Sequence, residues 1–274
     1  MIDCFLFHNE LDLLEIRLNT LAPYVERFVL CECPITHSGK EKPLYYAENK
    51  ERFKDFPITH LIVDDYQKFG FPPTKGTIVD LCKYAQRVEN YQRNFLFNGI
   101  RNEDPDTMIL LCDIDEIPDL TLYRGGTEGS FMQYVYCYYI DIYTGKRNGK
   151  GPIAIKMKNI YGEYEGLNDV RNSKWKIPKM RTQSGGWCHG FHFTCLGSVE
   201  QALYKIDSCY HQNFNIPDIV DSFEENRRKL IDPYHRDKYP QTFTVRTPYE
   251  LKWLMENHKK YEHLFYKGVW DGGS

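Results

Sequence analysis

Three carboxylates stand within four positions of ILLCDIDEIP, residues 109–118: Asp113, Asp115 and Glu116. An apolar run, Ile109 to Cys112, leads into them and Pro118 closes the stretch. Carboxylates this close repel one another unless a cation or a tight hydrogen-bond network offsets the repulsion. On a strand, side chains alternate faces, so Asp113 and Asp115 are expected to project the same way. That places them beyond the carboxyl edge of a parallel sheet, where open α/β sheets bind ligands. Such a pair can hold a divalent cation while leaving room for water and phosphate. It can equally end a strand or cap the next helix, and Asp-X-Asp alone does not separate the two. The apolar run before it and the third acid after it favour a metal–diphosphate site.

The flanking elements must supply the platform. DCFLFH (3–8), RFVLCEC (27–33), ITHLIVDDY (58–66) and DTMILLCDIDEIP (106–118) read as buried strands. Between them, Leu11, Leu14, Leu18 and Leu21 mark an amphipathic helix from Asn9 to near Pro23, and residues 80–102 a long second helix. Strands alternating with helices predict an α/β fold with a mostly parallel central sheet flanked by helices. After Pro118 a mixed, loop-rich half is expected. It has a strand at 129–143, loops around short strands over 144–186, a strand with a turn at 190–197, a helix running into an irregular stretch at 198–211, and helices at 216–231 and 247–265. No linker or repeat divides the chain, so 1–274 reads as one domain with halves 1–118 and 119–274.

Composition sets bounds. The chain has 274 residues, 42% hydrophobic, with 35 basic against 38 acidic side chains. No global basic field invites nucleic acid, so an anionic ligand must be held by a local cluster. The 21 tyrosines suit sugar recognition, as they equally suit core and rim packing. The nine cysteines are scattered without CxxC spacing and read as reduced, buried apolar residues. The N-terminus lacks a signal-peptide pattern, and no run approaches the roughly 18–20 apolar residues of a membrane span. A cytoplasmic chain without a span is expected.

The blocks HNELDLLEIRLNTL, THSGKEKPL, ENYQRN, CDIDEIP and GFHFTCLG…KIDSCYHQNF occur in the order of similar blocks in glycosyltransferase family 17. That family is the β-1,4-mannosyl-glycoprotein β-1,4-N-acetylglucosaminyltransferase-like family. The resemblance runs from about residue 3 to 215. It departs at Phe191, Thr194 and Asn213, where Trp, Ser and an acid are usual, departures that bear on the identity of the sugars. It implies a GT-A-like (Rossmann-like) fold, a Mn²⁺ or Mg²⁺ ion and a UDP-sugar donor. It further implies a glycan or glycoprotein acceptor and inversion at the anomeric carbon.

The resemblance also distributes roles. Asp115 is the expected metal ligand, with Asp113 reaching the ribose or a metal-bound water. His211 and His192 are the two candidates for an imidazole at the site, His211 more for the metal and His192 more for the donor or acceptor pocket. Phe7, Asn9 and Glu10 are expected at the base and Glu32 at the ribose. Lys40, in the Ser38–Gly39–Lys40 loop, is expected to close on the donor. Arg93 and Asn94 are placed to reach the nucleotide, Arg93 as a bidentate partner for phosphate or carboxylate. Glu200 is the expected catalytic base, with Asp141, Glu165 and Asp169 as rivals. The basic stretch around Trp175 (171–181) reads as an acceptor-side, phosphate-side or plain surface loop. The donor alternatives are UDP-xylose or a GDP-sugar. A phosphohydrolase or nucleotidyltransferase also uses clustered aspartates but needs acids from further strand ends. A sugar-binding module needs no such cluster.

Overall fold

The computed structural model describes residues 1–148, 151–173, 177–182, 184–236 and 241–266. Trp175 lies outside the described residues. Two sheets form the frame. The first runs in the order β3 (Ile58–Ile62), β2 (Arg27–Glu32), β1 (Ile2–Leu6), β4 (Met108–Asp113), β9 (Ile153–Lys156), β6 (Gly129–Ser130). The second runs β11 (Thr244–Val245), β8 (Ile142–Asn148), β7 (Met132–Cys137), β10 (His189–Thr194), β5 (Glu116–Pro118).

The fold is α/β as expected, but the first sheet is mixed rather than mostly parallel. β3, β2, β1 and β4 are parallel, whereas β9 runs antiparallel to β4 and β6 antiparallel to β9. The reason lies in the connections. A parallel neighbour needs a crossover, usually a helix. Helices α1 (Leu11–Leu21) and α3 (Ile78–Phe95) supply crossovers in the first half, and among the described residues no α-helix lies between β4 and β9. Strand order reverses at β1: the chain steps outward through β2 and β3, then α3 carries it back to the other side of β1. The crevice between the carboxyl ends of β1 and β4 is therefore a topological switch point, where open sheets of this kind take ligands.

A second correction concerns the acidic strand. Residues 106–118 do not form one strand. β4 ends at Asp113, Ile114 and Asp115 form a turn, and Glu116 opens β5 in the other sheet. Arg17 of α1, wholly buried and paired with Asp3, donates to the carbonyls of Glu116 (2.5 Å) and Asp113 (3.3 Å). The Asp113 N–H donates to the Glu116 carboxylate at 3.0 Å. These bonds satisfy backbone groups that a continuous ladder would have used, so the chain can change sheets at the acids.

The helices carry the side chains that face this turn. α3 opens on a Thr77–Asp80 capping box and buries Tyr84, Ala85, Val88, Glu89, Gln92 and Arg93, a helical stripe that changes from apolar to polar along its length. α5 (Leu167–Asn172) begins where the Asn168 N–H donates to Asn94 Oδ1 at 2.8 Å. α6 (Val199–Ser208) opens on a Ser198–Gln201 capping box. α2 (Tyr45–Glu48), α4 (Met157–Glu163), α7 (Pro217–Lys229) and α8 (Lys252–Glu256) complete the set. α4 and α5 fall where loops are expected from the sequence, and only the 252–256 part of the expected helix 247–265 is α-helical. A 3-10 stretch, His258–Leu264, follows it.

Candidate active site

A cavity of about 630 Å³ opens at the switch point. Its floor is the chain leaving β1 (Phe7, His8, Glu10) and β4 (Asp113 to Glu116), with Ile35 and His37 beyond β2. Its walls are Glu89, Gln92 and Arg93 of α3, Asn168 and Arg171 of α5, His192 and Thr194 of β10, and Lys205 of α6. Aromatic Tyr210, Phe214 and Tyr234 line one end, with the Phe214 and Tyr234 rings 4.4 Å apart. Parallel register sets Leu6 beside Asp113, and antiparallel register sets Glu116 beside His192. The site thus joins both sheets.

The acids are held by the chain's own cations. Asp113 accepts from Arg93 at 2.9 Å through Oδ1 and from Arg171 at 2.8 Å through Oδ2. Arg93 also reaches Glu89 at 2.6 Å, and Arg171 reaches Glu116 at 2.6 Å. Asp115 Oδ2 accepts from Lys205 Nζ at 2.7 Å, with His192 Nε2 at 3.7 Å. Lys205 stands 3.5 Å from Glu10 Oε1. Among the described lining residues, carboxylates and Lys or Arg cations are five each.

Burial alone would push these carboxyls up; the cations decide the outcome. Lys205 and His192 hold Asp115 below the usual carboxylate range, and Arg171 and Arg93 do the same for Asp113. Glu116 goes the other way, since its burial outweighs Arg171. Burial lowers His192, but Asp115 more than restores it and its pKa is raised. At His8 burial outweighs the help from Glu10 and pushes the imidazole down to about 3.

This arrangement does not fit a divalent cation between the aspartates. Both Asp113 oxygens and Asp115 Oδ2 already face positive side chains. A like charge at 4 Å costs about 4 kcal/mol per unit pair at an effective dielectric of about 20. Among the described residues, no group of three His, Cys, Asp or Glu side chains could hold a metal ion. The cavity instead offers unspent hydrogen-bonding capacity. His8 Nε2, Arg93 Nε, His192 Nδ1 and Asn168 Oδ1 are buried without a partner among the described residues. Unpaired buried polar groups cost about 1–3 kcal/mol each, which a polar ligand would relieve.

Of the residues expected at the site, Phe7, Glu10, Arg93, Asp113, Asp115, His192 and His211 line this cavity. His211 packs on Tyr210 and Phe214 rather than on the aspartates. Asn9 contributes its backbone N–H to Glu10. Glu32 is wholly buried, accepting from the N–H groups of Tyr46 and Ala47 and facing Lys42 at 3.6 Å, so it anchors α2. Lys40 is exposed and pairs with Asp207 at 2.6 Å. Asn94 is exposed and caps α5. Glu200 is exposed, outside the cavity lining, and accepts from its neighbour Ser198. Asp141, Glu165 and Asp169 also lie outside the lining. Lys205 and Glu89 are not among the expected residues, and Arg171 is among them only as the first residue of the basic stretch 171–181. Lys205 had a readable signal: three residues after Ala202 and beside Ile206, both buried, it sits near the inward face of α6.

Comparison with known proteins points the same way as the sequence blocks. Residues 1–124 match the family model "Glycosyltransferase family 17". Three relatives carry the name beta-1,4-mannosyl-glycoprotein 4-beta-N-acetylglucosaminyltransferase. The rat protein is 31% identical over 96% of this chain, the human one 31% over 94%, and the mouse one 30% over 96%. The chain spans about half the length of these relatives, 54%, 53% and 54% respectively. The likeness covers nearly the whole chain, and residues 1–124 carry a glycosyltransferase family 17 match.

Proposed function

We propose that this chain is an inverting glycosyltransferase of the GT-A type. It moves a sugar, N-acetylglucosamine first among candidates, from a UDP-sugar to a hydroxyl of a mannose-containing glycan. The observation that carries the reading is the cavity at the β1–β4 switch point, lined by anchored cations and unpartnered buried polar atoms. The relatives' names supply the sugar and the acceptor class.

In the reaction, the acceptor oxygen forms a bond to the anomeric carbon as the bond from that carbon to the phosphate oxygen breaks. UDP leaves with the electron pair, and the acceptor's proton passes to a carboxylate. Catalysis must meet the charge that develops on the leaving phosphate with donors already in place. Arg93, Arg171 and Lys205 are fixed by their carboxylates and need little reorganisation to do so. The proton acceptor belongs among the carboxylates lining the cavity. The aromatic end, Tyr210, Phe214 and Tyr234, offers ring faces for a sugar or base. The charges as arranged do not accommodate the divalent cation that the family resemblance implies.

The test is mass-spectrometric turnover with a panel of UDP- and GDP-sugars on a mannose-containing glycan. Transfer of N-acetylglucosamine with inverted configuration is expected. No transfer from any nucleotide sugar, with UDP failing to stabilise the protein to heat, would sink the reading.

A further inference from the structure

We propose that Lys205 is a resident cation at the acidic turn. It occupies the place a divalent ion would take beside Asp115 and Glu10, keeps such ions off the free protein, and meets the donor's diphosphate itself. The last part rests on the nucleotide-sugar reading above; the first two do not.

Three observations lead here. The Lys205 ammonium sits 2.7 Å from Asp115 Oδ2 and 3.5 Å from Glu10 Oε1, bridging the ends of β4 and β1. Arg93 and Arg171 take both oxygens of Asp113, so a metal arriving at Asp115 would lack a second aspartate and face three positive groups. Lys205 also differs from the arginines in exposure. The two guanidinium side chains are 6% exposed and tied to two carboxylates each, whereas the Lys205 side chain is 31% exposed. An ammonium has three donors. Asp115 takes one and Glu10 is near a second, so a third remains for a phosphate oxygen in the cavity that Lys205 lines. With acids and cations equal in number around the cavity, no broad positive field draws the diphosphate in. A point contact from Lys205, the most exposed of the three cations, must do it.

The experiment is Mn²⁺ titration followed by electron paramagnetic resonance, since the sharp hyperfine lines of aqueous Mn²⁺ fade on binding. The free wild-type protein should leave the signal unchanged. K205M, which keeps the stem and removes the charge, should take up one Mn²⁺, and adding Asp115→Asn to it should abolish the uptake. UDP binding is then measured calorimetrically in EDTA and in Mn²⁺. Wild type should bind equally in both; K205M should bind roughly tenfold or more weakly in EDTA. Mn²⁺ uptake by free wild-type protein that Asp115→Asn abolishes overturns the proposal, as does wild-type UDP binding that requires Mn²⁺. A folded K205M that neither gains Mn²⁺ nor loses UDP affinity overturns it too. If K205M does not fold, the wild-type arms decide. Absence of UDP binding in every condition removes the donor reading, and the Mn²⁺ titration of wild type still settles the resident cation.

Discussion

At the scale of residues, the site is a lattice of opposite charges. Arg171 links Asp113 at 2.8 Å to Glu116 at 2.6 Å and is itself 5% exposed. Replacing it by Met keeps the stem and leaves two carboxylates facing each other, one of them 2% exposed. Breaking a buried pair from one side costs about 3–5 kcal/mol. Arg171→Met is therefore expected to lose stability on that order in urea denaturation at neutral pH; a loss under about 1 kcal/mol would show that solvent already screens the pair. Glu200 is the contrasting case. It is exposed, outside the cavity lining, and hydrogen-bonded to Ser198 next to it. Glu200→Gln should leave kcat/KM within about twofold of wild type. A collapse of kcat with unchanged stability would instead place Glu200 against the acceptor.

Elements show how far the site depends on local chain chemistry. α5 carries Arg171, and its first turn is satisfied not by its own residues but by Asn94 of α3. The helix is therefore legible only once α3 is placed. α1 plays a similar part at the other end, sending Arg17 under the acidic turn while its outer face receives the chain's C-terminal part. There Tyr261 and Leu264 of the 3-10 stretch are buried, His263 meets Asp12 at 2.9 Å, Lys260 meets Glu15, and Arg52 joins both acids. Burial raises the Asp12 and Glu15 carboxyls, but these bases outweigh it and both pKa values are lowered. A carboxyl depressed in the folded state stabilises it above its unfolded pKa, about 4, and loses that contribution as pH falls through the folded value. Hydrogen exchange over residues 252–266, corrected for intrinsic rates, should therefore lose protection below about pH 4 before the β1–β4 core does. Loss of protection in both regions together would refute this order.

The whole molecule turns on the seam where ILLCDIDEIP leaves one sheet for the other. Much of the frame was legible in the sequence. The apolar runs read at 3–8, 27–33 and 106–118 contain parallel strands ending at Leu6, Glu32 and Asp113, and the helices expected over 9–23 and 80–102 overlap α1 and α3. The break at Ile114–Asp115 was not legible, because it depends on Arg17, almost a hundred positions earlier in the chain. Nor were the partners of the acids: Arg171 and Lys205 lie 58 and 90 residues beyond the aspartates they hold, and sequence spacing carries no sign of such pairings. α4 and α5 escaped notice because each is under two or so turns, too short for a helical period to stand out from the surrounding Gly, Lys and Asn. The seam itself makes a testable demand at Gly190. β10 passes so close to β5 there that an added Cβ would lie 2.5 Å from the Ile117 carbonyl oxygen and 2.6 Å from Pro118 Cα. Both are backbone atoms in a paired strand, so no side chain can swing away, and forced overpacking of this kind costs about 1–3 kcal/mol. Gly190→Ala must push β10 off β5, and the same register sets His192 against Glu116 two residues further along. Stability should fall by that amount in urea, and turnover measured where the variant is still folded should fall as well, since the second sheet's wall of the cavity shifts against the first. Unchanged stability would mean that the sheets slide freely at the seam, and the acidic turn would then not be the fixed joint on which the cavity is built.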